Sequence, residues 1–148
     1  MTYKTQVPSH LTHKHSLRVR FSEVDSLQIV WHGHYINYFE DGREAFGRQF
    51  GLSYLEIKKE GYATPIVNTN TSHKLPLRYG DIAYIETTYI NTAAAKLQFS
   101  YCIKNEANQI ICTGETIQVF TKLDNGEMAL LHPEFYKQWK TKHNLLNV

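Results

Sequence analysis

One carboxylate, two imidazoles and a glycine lie close together in the stretch 21–51, FSEVDSLQIVWHGHYINYFEDGREAFGRQFG. Asp25 falls in a polar loop after an alternating run, and His32, Gly33 and His34 follow it. Helical spacing begins near Gly33–His34. The start of a helix collects unpaired backbone N–H groups and a partial positive charge, which favours developing negative charge. A carboxylate held a few residues before such an end sets a base or nucleophile beside a ready-made oxyanion site. The plain alternative is a loop aspartate that caps the following turn. His32 and His34 with Asp25 would also supply three N/O metal ligands. No His-x-x-x-His helical pair or nearby cysteine supports that set, so the reading is no metal and no cofactor.

The elements that must hold these residues can be read from periodicity. Residues 15–22 alternate Leu17, Val19 and Phe21 against Arg18, Arg20 and Ser22, which predicts a half-buried strand. A helix is expected over roughly 34–50, ended by Gly51. Tyr35, Phe39, Gly42, Phe46 and Gln49/Phe50 form one stripe, flanked by Ile36 and Tyr38, that needs a sheet to cover it. Gly42 on that stripe predicts close packing. Leu52–Lys59 reads as a short helix with Ser53 as N-cap and Glu56 as its capping-box partner, stopped by Gly61.

Residues 63–79 are extended but polar on both faces, with Val67, Thr69, Thr71 and His73 on one and Asn68, Asn70, Ser72 and Lys74 on the other. Such a run suits a pocket border or a subunit contact, and Pro76 keeps its end from being a central strand. After a turn at Tyr79-Gly80-Asp81, strands are expected over 82–91, 96–104 and 109–122. Leu97, Phe99, Tyr101 and Ile103 should point inward, and Gly114 should mark a bulge or a close approach. Pro133 opens a last helix, about 133–141, anchored by Phe135, Tyr136 and Trp139. One long aromatic helix and a mostly antiparallel sheet make an α+β chain. A long edge strand needs a partner, which favours a homodimer or homotetramer.

At 148 residues, 42% hydrophobic and 20% charged, the chain reads as one globular domain over 1–148, with residues 1–14 a polar N-terminal arm. His10, His13 and His15 are expected to be solvated there. The net charge of +2 argues against nucleic-acid binding. No stretch has the length of a membrane span, and the polar start lacks a signal-peptide core. Cys102 and Cys112, in strand-like runs, read as reduced thiols of a cytoplasmic protein.

The string Glu23-Val24-Asp25, then Val30, His32, Tyr35 and Tyr38-Phe39-Glu40, resembles the signature of the 4-hydroxybenzoyl-CoA thioesterase-like family of hotdog-fold acyl-CoA thioesterases. The spacing from Asp25 to His32, Tyr35 and Glu40 agrees with that family. Gln28 stands where a glycine is usual, a position that serves φ > 0, and His34 stands where Asn or Ser is common. The resemblance implies a hotdog fold, a long central helix wrapped by a curved sheet, and a homo-oligomer. It implies hydrolysis of an acyl-CoA, or another acyl thioester, to a free acid.

On the same resemblance Asp25 is the nucleophile or general base, and backbone N–H groups near His32-Gly33 polarise the thioester carbonyl. His32 orients Asp25 or borders the thioester. Tyr35, Glu40, His34 and His73 are substrate-binding candidates. Each has a plainer reading: Tyr35 as core, Glu40 as a surface partner of Arg43, His34 as an exposed helix start, His73 as a polar edge residue. Lys74, Arg78 and Lys96 could meet coenzyme A phosphates. Two rivals stay open: a non-catalytic acyl-binding or assembly hotdog protein, and a hotdog hydratase or dehydratase.

Overall fold

A computed structural model describes residues 11–145. The chain runs β1 (Thr12–Arg18), α1 (His34–Phe50), α2 (Tyr54–Lys59), β2 (Tyr62–Ala63) and β3 (Ile66–His73). It continues through β4 (Ile82–Ile90), β5 (Lys96–Lys104), β6 (Ile110–Val119), β7 (Thr121–Lys122) and α3 (Glu134–Lys142). Five strands form one antiparallel sheet in the order β1-β4-β5-β6-β3, and β2 pairs with β7 in a small second ribbon.

The long helix forms where its apolar spacing predicts it. Tyr35, Tyr38, Phe39, Gly42, Ala45, Phe46 and Gly47 are its buried residues, while Ile36 and Gln49 stay exposed. Gly51 ends it in the left-handed region at φ 76°. A Cβ on Gly42 would lie 2.6 Å from Ile85 Cγ2 and Thr87 Oγ1, so the missing side chain sets how close α1 comes to β4. Gly114 on β6 does the same for Phe39, whose ring would meet an added Cβ at 2.5 Å. It marks a close approach rather than a bulge. Phe39 stacks on Tyr101 at 4.5 Å between centroids, and Phe46 meets Phe99 edge-on at 5.2 Å. These contacts fasten α1 to β5. Leu97, Phe99, Tyr101 and Ile103 all point into this core.

The capping box on α2 is present, with Ser53 Oγ accepting from the Glu56 N–H and Glu56 Oε1 from the Ser53 N–H. Helix α3 starts at Glu134, one residue after Pro133, and buries Tyr136 and Trp139. The Trp139 indole donates to the Phe50 carbonyl at 2.8 Å and ties the two helices end to end. Cys102 and Cys112 are free thiols. No helix among the described residues is long and apolar enough to cross a membrane.

Three local expectations need correction. The first strand is Thr12–Arg18, not 15–22, so residues 12–14 belong to the sheet and not to a loose arm. His13 and His15 are half-buried on that strand; His10 and the rest of 1–10 lie outside the described residues. Phe21 leaves the strand for a single 3-10 turn, Phe21–Glu23, and is 77% exposed. Its alternation with Val19 is broken because Val19 is held by the turn at Gly80–Asp81, through Val19 N–H to Asp81 O and Gly80 N–H to Val19 O. Glu40 and Arg43 do not pair. Arg43 turns inward and donates to Tyr101 Oη at 3.1 Å, because a buried phenol offers a better-shielded acceptor than an exposed carboxylate three residues away.

Candidate active site

Asp25 sits at the first corner of a closed four-residue turn. Its N–H donates to Ile29 O, and the Gln28 N–H donates back to Asp25 O, both at 2.9 Å. Asp25 Oδ1 accepts from the Leu27 N–H at 2.8 Å. The aspartate therefore caps its own turn, not α1, and Oδ2 has no bonded partner among the described residues. Gln28 supplies the left-handed corner at φ 64°. The loop keeps the shape a glycine would give it, with a side chain in a region that disfavours one.

This turn is pinned from both sides. Val24 bridges Val30, Ile29 bridges Arg78, and the Val30 N–H donates to Leu77 O at 2.8 Å. Glu23 is 8% exposed; its Oε1 accepts from the Arg20 N–H at 2.7 Å and from Tyr38 Oη at 3.0 Å. Burial, then the Glu23 charge, pushes the Tyr38 phenol far above its ordinary range, so it stays a donor. Glu23 was visible in the sequence as part of a motif. Its role as the brace between loop and helix was not, since Tyr38 is fifteen residues away.

At the helix start, Trp31 O accepts from the His34 N–H at 2.9 Å and His32 O from the Tyr35 N–H at 3.3 Å. The N–H groups of His32 and Gly33 find no acceptor among the described residues. A Cβ on Gly33 would stand 2.0 Å from the Trp31 ring, which lies over it, so any side chain here would displace that ring. His34 is held locally, edge-on to Trp31 at 5.7 Å and 3.3 Å from the Asn37 amide.

His73, from the far end of β3, comes to this place. Its ring meets His32 edge-on at 5.4 Å and Tyr35 at 5.1 Å, and its Nε2 lies 3.1 Å from Thr71 Oγ1. Burial, then the neighbouring His32, holds the His73 imidazole below its ordinary range. Burial also raises the Tyr35 phenol. His32, Tyr35 and His73 are thus gathered at the start of α1, beside Gly33, and Asp25 lies on the loop that leads into it.

Glu40 is not among them. It borders a cavity of about 640 Å³ between α1, α2 and the sheet, walled by Leu52, Ile57, Ile66, Leu97, Phe99 and Gln118. This cavity and the carboxylate loop are therefore apart within one chain. They are tied to opposite ends of β3, the cavity to Ile66 and the loop cluster to His73. Lys74 and Arg78 lie exposed near the loop, whereas Lys96 is half-buried at the start of β5.

A family model described as the thioesterase-like superfamily matches residues 19–139. A putative acyl-CoA thioesterase of Bacillus subtilis, YneP, is 34% identical over 97 residues, spanning 66% of this chain and 70% of the relative. The chloroplastic acyl-acyl carrier protein thioesterase ATL3 of Arabidopsis thaliana is 31% identical over 97 residues, 66% of this chain and 51% of the relative. Among solved structures, a DHNA-CoA thioesterase from Staphylococcus aureus superposes with a TM-score of 0.81 at 22% identity, over 90% of this chain and 91% of that one. A 4-hydroxybenzoyl CoA thioesterase mutant complexed with 4-hydroxybenzoyl CoA superposes with 0.75 at 20% identity, over 87% of this chain and 98% of that one. These likenesses show the fold: a long helix against an antiparallel sheet in the hotdog arrangement.

Proposed function

Since the chain belongs to the thioesterase-like superfamily, we propose that it hydrolyses an acyl thioester to a free acid and a thiol, with Asp25 as the reacting carboxylate. One observation carries this: Asp25 spends only Oδ1 on its own turn, and the same pinned loop runs on to two backbone N–H groups without acceptors among the described residues. That is a carboxylate able to attack or to take a proton, on the same loop as donors suited to the oxyanion that forms on the thioester carbonyl.

Two routes lead to the same products. As a general base, Asp25 takes a proton from water while the water oxygen adds to the carbonyl carbon; the C–S bond then breaks, and the thiolate leaves with that proton. As a nucleophile, Asp25 displaces the thiolate to form a mixed anhydride, which water hydrolyses. His32 and His73 wall the thioester in either case, and Tyr35 backs them from the core.

The separation of cavity and loop supports a dimer built on β3. This edge strand has no neighbour on its outer side among the described residues, and Val67 on it is 58% exposed. A second copy adding its own β3 antiparallel would continue the sheet. The Ile66 end of one copy would then face the His73 end of the other, about 25 Å along the strand at roughly 3.3 Å per residue. The acyl cavity of one copy would meet the Asp25 loop of its partner. The substrate carrier is coenzyme A or an acyl-carrier protein, the two carriers in the relatives' names. A panel of acyl-CoA and acyl-carrier thioesters with thiol release as readout tests the proposal, and no release above the buffer rate from any member would refute it.

A further inference from the structure

Gln118 is a buried polar residue among the apolar side chains of the cavity wall, which α1 also lines with the charged Glu40, Asp41, Arg43 and Glu44. It lies on β6 opposite Leu97 of β5 and Ile66 of β3, and is 6% exposed. Its Nε2 donates to the Thr64 carbonyl at 2.7 Å and to Thr64 Oγ1 at 3.1 Å. That pair fixes the amide's orientation, because turning it over would set one carbonyl oxygen against another. The other atom, Oε1, is buried without a partner among the described residues. Buried acceptors are nearly always satisfied, and one left open beside a cavity marks where a ligand's donor belongs.

We propose that Gln118 is a specificity-determining residue that selects acyl groups whose far end carries a hydrogen-bond donor, a hydroxyl above all. The cavity it lines, about 640 Å³, falls within the range of roughly 300–1,000 Å³ that holds a small organic ligand. Its apolar walls, Leu52, Ile57, Ile66, Leu97 and Phe99, take the hydrocarbon. An acyl group ending in a methyl leaves Oε1 dry and unpaired. One ending in a hydroxyl donates to it. Discrimination of this kind is strong because the site's own polar group is penalised when the wrong ligand fills it. The inference rests on the proposed function only in taking the cavity to be the acyl site.

The test separates the two. Calorimetry measures binding of octanoic, 8-hydroxyoctanoic and 8-methoxyoctanoic acids to the intact protein and needs no turnover. The hydroxy acid is expected to bind about tenfold or more tighter than octanoic acid. The methoxy acid, which accepts but does not donate, should gain nothing. In Gln118→Met the hydroxy preference should fall to about one, read as a ratio within that variant. Equal binding of hydroxy and methoxy acids, no binding of any acid, or an undiminished ratio in Gln118→Met would each overturn the assignment. If Gln118→Met does not fold, the three-acid comparison on the unaltered chain decides alone. Hydroxy-selective binding without hydrolysis of any thioester would count against Asp25 as the reacting group and leave the assignment of Gln118 standing.

Discussion

The Tyr38 hydroxyl donates to Glu23 Oε1 at 3.0 Å, and through this bond the long helix grips the loop that carries Asp25. Both partners are buried, so neither can exchange the other for water. Tyr38→Phe removes the donor and keeps the ring. It should cost about 1–3 kcal/mol in urea unfolding, and it should lower kcat for the best thioester by loosening the turn. A variant as stable and as active as the parent would show that the brace is ornamental.

Asp25→Asn keeps the Oδ1 that accepts from the Leu27 N–H, so the turn should survive and the melting temperature should change little. Turnover should fall about 10²-fold or more with the loss of charge and basicity. Thiol-release kinetics beside a thermal melt decide it. Turnover near that of the parent, with the melt unchanged, would remove Asp25 as the reacting residue.

Gln28 holds φ 64° with a side chain attached. A left-handed residue other than glycine costs about 1–2 kcal/mol, and glycine gives back about 0.5–1 kcal/mol through the freedom of its unfolded chain. Gln28→Gly should therefore stabilise the protein by about 0.5 kcal/mol, the difference of these two terms. Chemical denaturation reads this directly. A loss of stability would mean that the Gln28 side chain makes a contact worth more than the strain.

Lys140, 1% exposed, donates to Thr92 O at 2.7 Å and to His132 Nε2 at 2.8 Å. Nε2 can accept only while the imidazole is neutral. Burial, then the Lys140 charge, holds His132 below its ordinary value of 6.5. Because the folded pKa is depressed, the folded state binds this proton less readily than the unfolded chain does. The stabilisation is complete above pH 6.5 and is lost as pH falls from there through the folded pKa. Melting temperature should drop as pH falls below about 6.5, and His132→Gln, whose amide oxygen accepts without titrating, should flatten part of that slope. Identical slopes in both proteins would refute the coupling.

Light scattering at micromolar concentration should report a dimer or larger. Replacing Val67 of β3, 58% exposed in the single chain, with Lys should shift the protein toward monomer and lower thioester turnover with it. A fully active monomer would exclude a site shared across β3.

Periodicity determines what is local. The spacing of Tyr35, Phe39, Gly42 and Phe46 is enough to specify α1 to its ends, because each turn of a helix repeats the same demand for burial. The alternation of Leu97, Phe99, Tyr101 and Ile103 does the same for β5. The run from Glu23 to Tyr35 is legible as a motif for a similar reason: its turn closes within a few residues, through Asp25, Leu27, Gln28 and Ile29. Other features are pairings between residues far apart in the chain, and no local pattern encodes them. Tyr38 reaches back to Glu23, Arg43 turns from Glu40 to Tyr101, and His73 arrives beside His32 from the end of another strand. Phe21 continues the strand's alternation in sequence, yet the docking of Val19 on the Gly80–Asp81 turn puts its ring in solvent. Gln118 shows the same limit. Its alternation on β6 says only that it points inward; that its amide nitrogen meets Thr64 and its oxygen meets no partner among the described residues follows from where Thr64 comes to lie, which only the packed chain decides.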